Sequence, residues 1–355
     1  MRHVRRGFVV TALLALAVGA QPVTVLGDTA STVTNPKHFF WAAGQPSPQG
    51  IVASQQNDLV YHGGNAGAGA IGVETKPAVY VTYWGPEWHT GFTTTDANGA
   101  VFSSATLQHY VNTFFSTVGG SAWNGTQTQY CKNAPVGATS CDGVAGAQFV
   151  GNPKKELKGV WTDTTPVPSD ILALGLAENL VDDPIAFEAQ RSAAHFNTSN
   201  PQATFFILTP PSTIATGQPA YCGYHTQTTG IDGLGNPFRI QYSFIPYLDA
   251  SWPGLGSGGC GMNWVNKTSD SFGRGVFDGY SIVNGHEYGE AETDPDNFFT
   301  VQDGWNDNQG GQENGDKCAW KNTANVSLNG VSFPMQPMWS NRAFDAGKPG
   351  CQMSL

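Results

Sequence analysis

Residues 281–296 read SIVNGHEYGEAETDPD, a HExxE at 286–290 followed by TDPD. The pattern invites comparison with HExxH, in which two helix-borne side chains four residues apart hold one metal ion. On an α-helix such residues project from one face, so His286 and Glu290 can share a cation, and Glu287, the next residue round, reaches water held there. A carboxylate is an acceptable substitute for the second imidazole, because zinc takes His nitrogen and Asp/Glu oxygen alike. The cation would lower the pKa of that water, with Glu287 as the general base. His286 shares its face with Ile282 and Val283. That points the face inward, where acids seldom stay unpaired. A hydrogen-bonded His/Glu cluster and a solvated, glutamate-rich face are the plainer alternatives.

A third ligand is required, and the neighbourhood offers several. Asp294 lies one further four-residue step along the helix, before Pro295, and Asp296 follows it. Glu313 and Asp316, in ENGDKC at 313–318, are downstream acids of the kind a second segment supplies, and Glu313 is the favoured one. Asp294, Asp296, Asp303, Asn306, Asp307 and Asp316 crowd one short region. Their oxygen-rich chemistry makes calcium the alternative to zinc. His62 in YHGG and His225 in CGYH are further candidates to approach the metal or to stabilise an oxyanion, although a hydrogen-bonded loop histidine is the plainer reading of either.

Working outward, Ala78–Trp84 (AVYVTYW) and Ala203–Leu208 (ATFFIL) are β-branched and aromatic runs stopped by Gly-Pro and Pro-Pro, and read as buried strands; 238–247 suggests a third. Leu107, Tyr110, Val111 and Phe114 give an amphipathic helix over 104–117. Helices are also expected over 169–195 and 276–293, and a disulfide-tied loop region over 119–151. Strands and helices alternate without a break in composition, so 58–355 is expected to be a single α/β or α+β domain, preceded at 28–57 by an extended lead-in or short pro-segment.

Residues 1–27 carry Arg2, Arg5 and Arg6 before an uncharged run to Ala20, the pattern of a secretory signal peptide and too short an apolar stretch to span a bilayer. The expected location is therefore extracellular, with no membrane association once the signal is cleaved. Six cysteines, an even set, suit an oxidising compartment; proximity favours Cys131–Cys141, Cys222–Cys260 and Cys318–Cys351. Only 12% of residues are charged and the net charge is −10. That balance excludes a charge-rich disordered chain and lacks the basic footprint of a nucleic-acid binder. No GxSxG elbow or phosphate-binding glycine loop is present. The oligomeric state is left open.

Six ordered segments together resemble the Exordium-like, phosphate-induced family of secreted proteins found in plant cell walls and in bacteria. They are YHGG (61–64), AVYVTYWGPEW (78–88), YCGYH (221–225), QYSFIPYLD (241–249) with Cys260-Gly261 after it, SIVNGHEYGEAETDP (281–295) and ENGDKCAW (313–320). The resemblance implies an exported, disulfide-containing protein with a metallopeptidase-like HExxE helix and a following acid-x-x-Asp-Cys element, which supports Glu313 and Asp316 as site residues. This chain departs from the family in having TDP at 293–295 where TNP is common, so Asp294 is an added ligand candidate. The expectation is a single zincin-like domain with a mixed sheet, an active-site helix and long disulfide-tied loops. It would act as a metal-dependent peptidase-like hydrolase on a polypeptide or cell-wall substrate, with Glu287 and His225 as catalytic residues. A noncatalytic extracellular protein with a structural zinc or calcium site is the alternative.

Overall fold

The computed structural model describes residues 37–44, 58–64, 70–95, 99–177, 182–211, 221–248, 259–267, 275–295, 303–307 and 312–355. Segment 1–27 and Asp296 lie outside them. ATFFIL is buried at all six positions, the pattern of a strand covered on both faces, and it sits inside a six-stranded mixed sheet. In chain order the strands are β1 His38–Trp41, β2 Ala78–Trp84, β3 Leu157–Asp163, β4 Ala203–Leu208, β5 Tyr221–Ile231 and β6 Pro237–Ile245. Their spatial order is β1-β5-β6-β4-β2-β3. The β6–β4, β4–β2 and β2–β3 pairs are parallel, whereas β1–β5 and β5–β6 are antiparallel.

Helices cover both faces. On one lie α1 Ser104–Thr117 and α3 Asp278–Thr293; on the other lies α2 Pro184–His195. Adjacent residues of β4 show the alternation: Phe206 meets Phe115 of α1, while Phe205 and Tyr80 stack beside Phe196 at the end of α2. Helix α1 occupies the expected residues and buries the expected stripe, with the Ser103 hydroxyl accepting from the Thr106 amide. The helix expected over 169–195 is two helices, Ile171–Leu176 and α2. The break is local chemistry: Asp183 caps the Ile185 and Ala186 amides and Pro184 opens α2, an arrangement that starts a helix and cannot continue one.

Phe39, Phe40 and Trp41, assigned by sequence to the lead-in, belong instead to the edge strand β1. All three disulfides form the pairs expected from proximity. Helix α3 spans the HExxE and is buried along its whole length. It lies beneath β5 and β6, against the short helical turn Asn124–Gln129 and the hairpin β7 Ala324–Leu328 and β8 Val331–Met335. Gly279 permits this enclosure, since a Cβ there would meet the Cys260 carbonyl oxygen at 2.0 Å. Among the described residues, no helix is long and apolar enough to cross a membrane.

Candidate metal centre

Three chain segments converge on the buried stretch of β5 around His225. Antiparallel pairing sets His38 of β1 directly opposite His225 of β5, on one sheet face, with ring centroids 5.3 Å apart. Helix α3 passes under that face and presents His286, Glu287 and Glu290. The turn at 313–318 closes the third side, and its Gly315 allows the approach: a Cβ there would lie 2.7 Å from Glu290 Oε1 and 2.9 Å from His286 Nδ1. Disulfides tie both flanks, Cys222–Cys260 beside His225 and Cys318–Cys351 beside Asp316.

The resulting cluster holds three imidazoles and four carboxylates. His286 Nε2 lies 3.0 Å from Glu290 Oε1 and 3.6 Å from Asp316 Oδ1. His225 Nδ1 lies 3.1 Å from Glu287 Oε2 and 3.5 Å from Glu290 Oε2, and its Nε2 is 3.5 Å from Glu313 Oε1. His38 Nδ1 is 2.7 Å from Glu313 Oε2. Outer partners fix the rings: Phe40 stacks on His286 at 3.8 Å between centroids, and the Gln336 amide sits 3.1 Å from His286 Nδ1, leaving Nε2 to face the cluster. The Asp316 amide donates to Glu290 Oε1 at 3.0 Å.

His225 Nδ1 bonds with Glu287 Oε2, but several other atoms of the cluster are left without a partner. His286 Nε2, Glu287 Oε1 and both Glu313 oxygens are buried with no aligned hydrogen-bond partner. A buried polar atom left unpaired costs about 1–3 kcal/mol, and a charged one more. Orphaned nitrogens and oxygens aimed at a common centre are the arrangement a cation satisfies, and this donor set fits one. Three groups of three place their ligand atoms within 4.8 Å of one another: His38, His225 and Glu313; His225, Glu287 and Glu290; His286, Glu290 and Asp316.

The electrostatics carry the same imprint. Burial, then Glu290, Asp316 and Glu313, pushes the Glu287 carboxyl well above the usual range, and burial with Glu313 does the same to Glu290. Burial and Glu290 raise Asp316 to about 8. Burial pushes His286 down to about 4 against the pull of Asp316 and Glu313, and it lowers His225, with Glu313 opposing. Only the outermost pair is charged by its own means. At His38 burial works against the charge, but Glu313 outweighs it and holds the ring protonated up to about 10; Glu313 stays well below the usual carboxylate range because His38 and His225 overcome its burial. Solvent reaches the cluster at His38 and Asp316, whose side chains are 21% and 20% exposed.

His286, Glu290, Glu287, His225, Glu313 and Asp316 thus come together as the sequence led one to expect, with two departures. Asp316, rather than the favoured Glu313, completes the group of His286 and Glu290, while Glu313 faces His38 and His225. Asp294 joins none of the groups. Helix α3 ends at Thr293, so the next four-residue step is never made, and Asp294 Oδ2 instead accepts from Asn306 at 3.1 Å. His62 also stays outside, on the two-stranded ladder of Val60–Gly63 with Gly304–Asn306. Sequence reasoning missed His38 and Gln336. The alternating pattern of HFFW, which puts His38 and Phe40 on one face of a strand, was the available sign for the first. Comparison with family models, with curated proteins and with solved structures finds no match to this chain.

Proposed function

We propose that this chain is a secreted, zinc-dependent hydrolase of the peptidase-like kind, with His286, Glu290 and Asp316 holding the cation and Glu287 as general base. Membership of the Exordium-like family and a zincin-like identity for the fold belong to the same proposal. One observation carries it: on one helix, His286 and Glu290 bring Nε2 and Oε1 within 3.0 Å of each other, both buried, beside a third acid. Imidazole nitrogens in the donor set favour zinc over calcium, which takes oxygen.

When bound, the cation supplies a Lewis-acid charge that brings the pKa of water toward neutrality. The chain's own residues supply the rest. Glu287 must be ionised to accept a proton, yet burial and then its acidic neighbours favour its protonated form; neutralising Glu290 and Asp316 would remove the neighbours' share. His225, 3.1 Å from Glu287 Oε2, holds the carboxylate in place and leaves Oε1 free to take the proton. Gln336 and Phe40 keep the His286 ring from turning.

A second reading, a noncatalytic extracellular or cell-wall protein with a structural metal, is favoured by the depth of the cluster: His286, Glu287 and Glu313 are completely buried. Glu287→Gln separates the two. The hydrolase reading expects cleavage of an unfolded polypeptide to fall by about 10²–10⁴-fold with metal content unchanged. Metal-replete wild-type protein that cleaves no polypeptide moves the assignment to the structural site.

A further inference from the structure

We infer that the centre binds two divalent transition-metal ions rather than one, with His38 of the edge strand a ligand of the second; this rests on the metal-site reading above. Seven side chains are more than a single zinc shell of about four ligands uses. Six of the seven, all but Glu287, divide into two triads with no member in common: His286, Glu290 and Asp316 at one end, and His38, His225 and Glu313 at the other. Each contains one or two imidazoles and at least one acid, the composition of a complete hydrolytic site.

Between the triads lies a group that faces both. Glu290 directs Oε1 to His286 Nε2 at 3.0 Å and Oε2 to His225 Nδ1 at 3.5 Å. Glu287 pairs with His225 Nδ1 at 3.1 Å, which turns the other ring nitrogen, Nε2, toward Glu313. A carboxylate that orients a histidine through its far nitrogen is the usual support of a metal ligand. Paired ions in hydrolases sit about 3.5–4 Å apart and share such carboxylates.

Charge leads to the same number. Glu287, Glu290, Glu313 and Asp316 are four acids in one buried cluster. With all four ionised, one divalent ion leaves two of those charges to other groups in a medium that penalises each heavily, whereas two ions balance all four. His38 Nδ1 lies 2.7 Å from Glu313 Oε2, so the two are placed to hold the second ion together.

The test is stoichiometry. Full-length mature protein is stripped with chelator, reloaded with zinc alone, dialysed and measured by elemental analysis and by calorimetric titration. Two zinc ions per chain are expected, falling to one in His38→Ala and to one in Asp316→Asn. His38→Gln, which keeps a polar side chain on the edge strand, repeats the measurement if the alanine variant misfolds, and circular dichroism verifies the fold of each. One zinc per chain in the wild type, unchanged in the His38 variants, overturns the second ion. Two retained in both His38 variants overturns the role of His38. No zinc in the wild type removes the metal site itself, and that outcome is distinct from the other two.

Discussion

Helix α3 passes through two nests of buried acid, and only one contains histidine. Glu287 and Glu290 face His225 and His286, with His38 beyond them against Glu313. Further along, Glu292 enters a second cluster with Glu74 and Glu156, all three with no solvent exposure. There the donors are neutral: Thr204 donates to Glu74 at 2.8 Å, Tyr288 to Glu156, and Asn124 to Glu292 at 3.1 Å. Each acid has one satisfied oxygen and one orphaned oxygen, and burial raises all three carboxyls, Glu156 to about 8. The same helix therefore solves one problem, acid out of water, in two ways. Neutral hydroxyl and amide donors stabilise a carboxyl that keeps its proton. Imidazole lone pairs can do more than accept from a protonated acid, because they also complete a shell around a cation. Burial of acid is common to both clusters, so it is the company of histidine that marks a metal centre.

The largest effect expected from this contrast is on thermal stability. A ligand present at about a thousand times its Kd stabilises by about 4 kcal/mol, which in a domain of this size amounts to roughly 10 °C in Tm. Zinc added to chelator-stripped protein should raise Tm by that order, and His286→Ala should reduce the gain. Glu74→Gln, which alters the histidine-free cluster, should preserve it. If Glu74→Gln abolishes the gain and His286→Ala leaves it unchanged, the metal belongs to the other cluster.

How much of this was legible beforehand depended on where the pairing information resides. AVYVTYW, ATFFIL and the stripe on α1 carry their structure in local pattern, and all three elements lie where the sequence put them. The HExxE spacing likewise fixed the relation of His286 to Glu290. The remainder is set by contacts remote in sequence. Strand β1 is four residues that gain order only by pairing with β5, nearly two hundred residues away, so its histidine looked like part of a tail. Strand β5, YCGYHTQTTGI, does not read as a strand because its buried positions are polar or glycine where they meet α3. Gly223 and His225, packed against α3, break the hydrophobic alternation there. The choice of Asp316 over Glu313 depended on how closely the turn at Gly315 could approach the helix, a distance that no spacing encodes.

A pH dependence is expected of the histidine-free cluster as well. Folded protein holds a proton on Glu156 up to about pH 8, whereas the unfolded chain releases it near 4.5. The stability this contributes is fully present below pH 4.5 and is lost as the pH rises through about 8. Glu156→Gln, which cannot ionise, should therefore match the wild type near pH 4.5 and gain on it at higher pH. The difference should grow by at most about 1.4 kcal/mol per pH unit, read from urea unfolding in chelator. Parallel curves from pH 4.5 to 8 would mean that Glu156 is ionised in the folded protein.

The smallest effect tests the division between the clusters most directly. Thr204 and Val are close in shape, so Thr204→Val removes the hydroxyl that donates to Glu74 Oε1 and little else. If Glu74 is a protonated acid, as its burial dictates, the lost bond joins two neutral groups and costs about 1 kcal/mol. That cost should be the same with zinc and with chelator, because no cation takes part. If instead Glu74 is an ionised ligand, the donor stabilises a charge and its loss costs about 1.5–3 kcal/mol, with a value that changes when metal is removed. Unfolding of Thr204→Val with and without chelator distinguishes these cases. A metal-dependent cost would place a cation among Glu74, Glu156 and Glu292 as well, and would show that hydroxyl and amide donors suffice where histidine is absent.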